Sequence, residues 1–280
     1  MPTPSQNASM PQTRSDSLAQ WWGNFVIARS SVTRWQIGPL TLSAHRLAGE
    51  WRLGYESADD PLSDTSKRAP NLNAATLDEM AAVERFAVSG ESEEVRLEPR
   101  PADRPIVSRP DRPFHVLPGE EVTLYVGSPL WVAVSSVSPQ KALIEIPTHR
   151  PSDTWFGPPT EDGELCYASR TFCRLVLDEV PRRPHRAVTA VLIRNPSKEP
   201  LPILRLKLPM EQLGLFAAGD GRVWTHDVIL ERGEGTEFAQ LQIGDGAPSA
   251  AKDAKSLLAP RVRSVGNPVV RAFSSLFSLA

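Results

Sequence analysis

Twenty-seven prolines distributed along 280 residues leave few stretches in which a regular helix can run. Proline offers no backbone N–H and clashes with the preceding turn of a helix, so it is confined to turns, strand ends and sheet edges. The segments between the prolines are correspondingly short, and many alternate. Trp51, Leu53 and Tyr55 alternate with Arg52 and Gly54; Val122, Leu124 and Val126 with Thr123 and Tyr125; Leu204, Leu206 and Leu208 with Arg205 and Lys207. That is the period of a half-buried strand. Ala187 to Ile193 is nearly continuous in apolar residues, as a strand covered on both faces should be. Phe172 to Leu177 reads as a further strand. In total roughly fourteen short strands, spaced about 8–15 residues apart, predict an all-β body of β-sandwich or jelly-roll type.

Two segments break this pattern. Asn73 to Phe86 is the helical candidate of the body, with Asn73 able to cap its first turn and Leu77, Met80 and Ala81 on one face. At the far end, Asn267-Pro268 suits a helix start, and Val269, Val270, Phe273, Leu276 and Phe277 recur at helical spacing. The expected organisation is a disordered polar tail over 1–17 and a β-rich body over 18–243, in one or two lobes. A polar linker over 244–266 and an amphipathic helix over 267–280 follow.

Charge excludes one class of partner. Thirty-one basic and 33 acidic residues leave a net charge of −2, without the basic face that nucleic acid demands. No apolar run reaches the 18 or more residues needed to span a bilayer as a helix. The polar first residues lack the basic start and apolar core of a signal peptide, so a cytoplasmic location is expected. Two cysteines do not make a secreted disulfide scaffold.

Catalytic spacing is weak throughout. Cys166 and Cys173, with His149 or His185, have the chemistry of a zinc site, and either cysteine with His149 that of an activated thiol, with Asp153 as an orienting acid. Yet there is no CxxC, no HxxxH and no nucleophile elbow, and both cysteines read better as small core residues. Glu161, Asp162 and Glu164 surround Gly163 as a solvated hairpin turn would, after the aromatic and proline-rich Trp155-Phe156-Gly157-Pro158-Pro159. Gly233-Glu234-Gly235 has no lysine to reach a phosphate. No metal and no cofactor are expected. The proline run from Pro99 to Pro113 reads as a sheet-edge connection or, less simply, a PxxP ligand. Pro181-Arg182-Arg183-Pro184-His185-Arg186 is the compact basic run; it reads as a solvated loop, or as the contact for an anionic partner.

Wording in the middle of the chain is familiar. Tyr125-Val126-Gly127-Ser128-Pro129-Leu130-Trp131-Val132, then Trp155-Phe156-Gly157 with Gly163-Glu164-Leu165-Cys166-Tyr167, and Asn195 through Arg205-Leu206-Lys207-Leu208-Pro209 resemble the prokaryotic domain of unknown function numbered 432. The likeness runs over about residues 122–215. It implies a β-rich cytoplasmic protein, supplies no catalytic residues, and carries an association with small-conductance mechanosensitive channels as a partner.

Two functions follow. The first is a non-enzymatic interaction protein that docks on a protein partner, or touches a membrane peripherally, through Val269, Val270, Phe273, Leu276 and Phe277. The second is a β-domain that binds a sugar or nucleotide with Trp131, Trp155 and Tyr167.

Overall fold

The computed structural model describes residues 20–273, apart from 79, 159–162, 170, 234–236 and 265. The expected tail over 1–17 lies outside them, as do Glu161, Asp162, Leu276 and Phe277. Among the described residues the regular structure is β in several sheets, with one α-helix of four residues, Ala75–Asp78, and three short 3-10 turns.

The first sheet is antiparallel, in the order Ser66–Leu72, Val32–Ile37, Leu40–Leu47, Glu50–Ser57 and Ala82–Ala87. Its last strand replaces most of the helix expected over Asn73 to Phe86. The capping does hold: the Asn73 side-chain oxygen accepts the Ala75 N–H at 3.0 Å. One turn later the chain leaves the helix, because Ala82–Ala87 gains a full ladder against Glu50–Tyr55, reinforced by Arg85 on Glu50 at 2.7 Å. A tertiary partner overrides a short, imperfect helical pattern.

A second antiparallel sheet runs Gly23–Val26, Glu94–Arg100, Trp131–Ser136 and Lys141–Pro147. Side chains of both sheets share one apolar core, with Trp35, Leu42 and Leu53 from the first and Val95, Leu97, Val132 and Val134 from the second.

The other main core gathers around Arg186–Arg194. This strand pairs antiparallel with Glu121–Pro129 along one edge and parallel with Val223–Thr225 and Val228–Arg232 along the other. Burial on both faces is what its unbroken apolar run requires. The parallel pairing is not visible in its sequence. Beyond it lie Phe238–Ile243 and Val269–Arg271 on one side, and Leu215–Ala217 and Lys255–Leu258 on the other. Within the proline-rich segment Ile106–Ser108 is a central strand, between Glu164–Ala168 and Leu206–Leu208, and so not the sheet edge expected of it, while Arg109 and Asp111 to Pro113 are exposed.

The two cores meet at Leu130-Trp131-Val132. Leu130 and Val132 point into the first core and Trp131 into the second, as side chains alternating across a strand must.

Three expectations are corrected. The segment over 244–266 is not all linker, since Lys255–Leu258 pairs with Leu215–Ala217. The C-terminal stripe does not begin as a helix: Val269–Arg271 is a strand on Phe238–Gln240, and Phe273 is fully buried in the second core, bridged to Leu206. A hydrophobic stripe of this length satisfies a short edge strand as well as a helix, and the sheet offers backbone partners that a free helix lacks. Phe172 to Leu177 is not a strand. Only Cys173 and Arg174 make isolated bridges there, and a 3-10 turn follows at Leu177–Glu179.

Candidate functional site

The basic run expected to be a solvated loop is only half solvated. Arg182 is exposed, but Pro184, His185 and Arg186 are buried. The reason is positional: the loop enters the strand Arg186–Arg194, which has neighbours on both edges, so its last residues are drawn inside. Trp21, just ahead of Gly23–Val26, and Pro61 and Leu62, in the loop after Glu50–Ser57, hold the basic run in place. Trp21 Nε1 donates to the Pro184 carbonyl at 2.7 Å and Arg183 Nε to that of Leu62 at 3.1 Å. His185 Nε2 lies 3.1 Å from the Pro61 carbonyl oxygen, which can only accept, so Nε2 carries the proton of a neutral ring. Burial, aided by the Arg186 charge, pulls His185 down to about 3.

Arg186 points the other way. It is 6% exposed. One guanidinium nitrogen, Nη1, donates to the Gly127 carbonyl at 3.1 Å and to Thr171 Oγ1 at 3.2 Å, while Thr171 Oγ1 donates to the same carbonyl at 2.9 Å. Its Nε is buried without an acceptor. No carboxylate among the described residues forms an ion pair with it. Burial, and then the charge of Arg183, lowers Arg186 to about 9, the mark of a cation held without compensation.

Arg186 lines a narrow cleft with Gly127, Thr171, Arg182, Arg183 and Arg222, closed by Phe172, Val180 and Val188. The enclosed space among them is small, about 20 Å³, and the rest of the opening is solvent. Arg222 is matched by Asp220 at 2.6 Å, and the charges of Asp60 and Asp64 act on Arg183. Nothing on the cleft wall does the same for Arg186. Four arginine residues line this one opening, and guanidinium groups recognise oxyanions, which accept several N–H donors at once.

A family profile described as protein of unknown function (DUF432) matches residues 21–277. The chain belongs to the DUF432 family. The match spans both cores and all of the arginine cleft, more than the middle segment whose wording carries the likeness. No curated protein and no solved structure matches the chain.

The residues singled out in the sequence fall elsewhere in this DUF432 fold. Trp131 and Tyr167 come together, with ring centroids 5.6 Å apart, but both are 6% exposed and belong to the second core. Trp155 stands apart on the hairpin Ser152–Phe156 and Glu164–Ala168, half exposed opposite Leu165. Cys166 packs with Val107 and Phe156, and Cys173 lies in the second core. Burial raises the two thiols to about 12 and about 11, away from nucleophile chemistry. Among the described residues no group of three His, Cys, Asp or Glu side chains is placed to hold a metal ion, and no helix is long and apolar enough to cross a membrane. Val269 is exposed, Val270 partly buried and Phe273 buried.

The cleft was missed for a definable reason. Its walls come from Gly127, Thr171, Arg186 and Arg222, four segments with no common spacing. One signal was present: three arginines immediately ahead of a strand buried on both faces imply that at least one cation is buried too.

Proposed function

We propose that this chain is a binding domain for a small anionic ligand carrying a phosphate-type group, held in the cleft around Arg186. One observation carries the reading: the Arg186 guanidinium is buried with its Nε unsatisfied and no carboxylate partner among the described residues, beside a cleft lined by further arginines. An unpaired buried cation is destabilising, and in a folded protein it is expected to be either neutralised or matched by a bound anion. This keeps the small-ligand function expected from the sequence but moves it from the aromatic residues to the arginines. Docking through the C-terminal segment has weaker support, since Phe273 is taken up by the core and Val270 packs against it.

Calorimetric titration of inorganic pyrophosphate into the wild type and Arg186→Met tests the proposal. Saturable binding by the wild type, weakened ~100-fold by the substitution, is expected. Equal affinity in both proteins, or no binding by the wild type at millimolar pyrophosphate, rules it out.

A further inference from the structure

The segment expected to be a strand over Phe172 to Leu177 presents its apolar side chains to solvent. Phe172 is 38% exposed, and Leu175 and Val176 are 50% exposed. It is nevertheless braced in place. Cys173 N donates to the Arg109 carbonyl, Arg174 and Tyr125 exchange backbone hydrogen bonds at 2.8 and 3.0 Å, and Leu177 packs against the cluster of Val180 and Trp224. Three neighbouring apolar residues held outward by a fixed backbone form a ridge, which soluble surfaces seldom maintain without a contact to make.

Charge identifies the contact. The guanidinium groups of Arg109 and Arg174 lie 5.4 and 5.9 Å from the centre of the Phe172 ring. Arg109, Arg112 and Arg182 are exposed around the ridge. Arg174 is 3.7 Å from Asp111, and Asp178 and Glu179 are the acids of the following turn. Phe172 also walls the Arg186 cleft, and Leu175 walls the neighbouring one. The ridge and the anion site thus open side by side. A free phosphate compound would use the cleft alone and leave the ridge wet. A phospholipid surface offers phosphate to the arginines and hydrocarbon to the ridge together.

We infer that the anionic group is the headgroup of a membrane phospholipid, and that Phe172, Leu175 and Val176 dip into the bilayer interface while Arg186 and its neighbours hold the phosphate. This rests on the anion-binding reading above. The test is co-sedimentation of the full chain with phosphatidylcholine vesicles, with and without about 30 mol% phosphatidylglycerol. The double variant Leu175→Ser/Val176→Ser is run beside the wild type, and soluble glycerol 3-phosphate is titrated by calorimetry into both. The inference expects wild-type binding to the anionic vesicles only, decreasing with salt and weakened ~10-fold in the double variant. Glycerol 3-phosphate affinity should be the same in the two proteins. Binding that ignores lipid charge, or that the double variant retains in full, overturns it. Soluble phosphate binding without vesicle binding overturns the membrane inference alone and leaves the ridge to an acidic protein partner. Failure of both overturns the anion site as well.

Discussion

The imidazole of His185 fills the space in front of Gly38: a Cβ on Gly38 would stand 2.2 Å from Nδ1 of the ring. Gly38 also has a φ of +58°, a left-handed conformation that other residues adopt at a cost. The contact ties the turn between the first two long strands of the first sheet to the loop that carries the arginine cleft. Gly38→Ala combines a backbone penalty with overpacking and is expected to lower stability by about 3 kcal/mol in urea denaturation. Adding His185→Ala should recover part of that loss. Additive effects of the two substitutions would show that the contact is not as described.

The buried, neutral His185 makes stability depend on pH. Its folded pKa is depressed to about 3, so between that value and its ordinary range the unfolded chain binds a proton that the folded chain does not. The contribution is therefore fully present above about pH 6.5 and lost as pH falls towards 3. Between pH 7 and pH 5 the wild type should lose about 2 kcal/mol more than His185→Phe, measured from urea midpoints. Parallel pH profiles for the two proteins would show that His185 titrates normally.

The thiols of Cys166 and Cys173 should be inert in the folded protein. Both are buried and raised well above the usual thiol range. Alkylation by iodoacetamide at pH 8 is expected to be at least ~100-fold slower in buffer than in urea. Rapid labelling of either cysteine in the native state would point to an activated thiol.

Phe273 is a core residue. Its side chain is fully buried, its N–H donates to the Glu237 carbonyl at 3.1 Å, and it bridges Leu206. Phe273→Ala should cost about 3–5 kcal/mol of stability. An unchanged unfolding midpoint would return this residue to the surface, where a docking stripe would need it.

Local periodicity revealed those elements whose burial is set by their own sequence. Glu50 to Leu53 alternates because Trp51 and Leu53 face the core while Glu50 and Arg52 stay partly exposed, and Ala187 to Ile193 does not because both of its faces are covered. It failed where a distant partner decides the outcome. Ala82–Ala87 becomes a strand only because Glu50–Ser57 offers an edge, and Val269–Arg271 because Phe238–Ile243 does. Phe172 to Leu177 reads as a strand because the run is short and rich in apolar residues, and nothing in its order says that the backbone holds Phe172, Leu175 and Val176 outward. Arg186 was legible as a charge, but its isolation from every described carboxylate is a property of the folded chain.

The central claim is that Arg186 is kept buried for an anion and not for the fold, and urea unfolding of the wild type and Arg186→Met, with and without pyrophosphate, tests it most directly. Without the anion, Arg186→Met should unfold at the same urea concentration as the wild type or higher, because an apolar side chain of similar length removes an uncompensated charge. Pyrophosphate should then raise the wild-type midpoint and leave the variant unmoved. A variant destabilised by several kcal/mol and still stabilised by pyrophosphate would contradict the account.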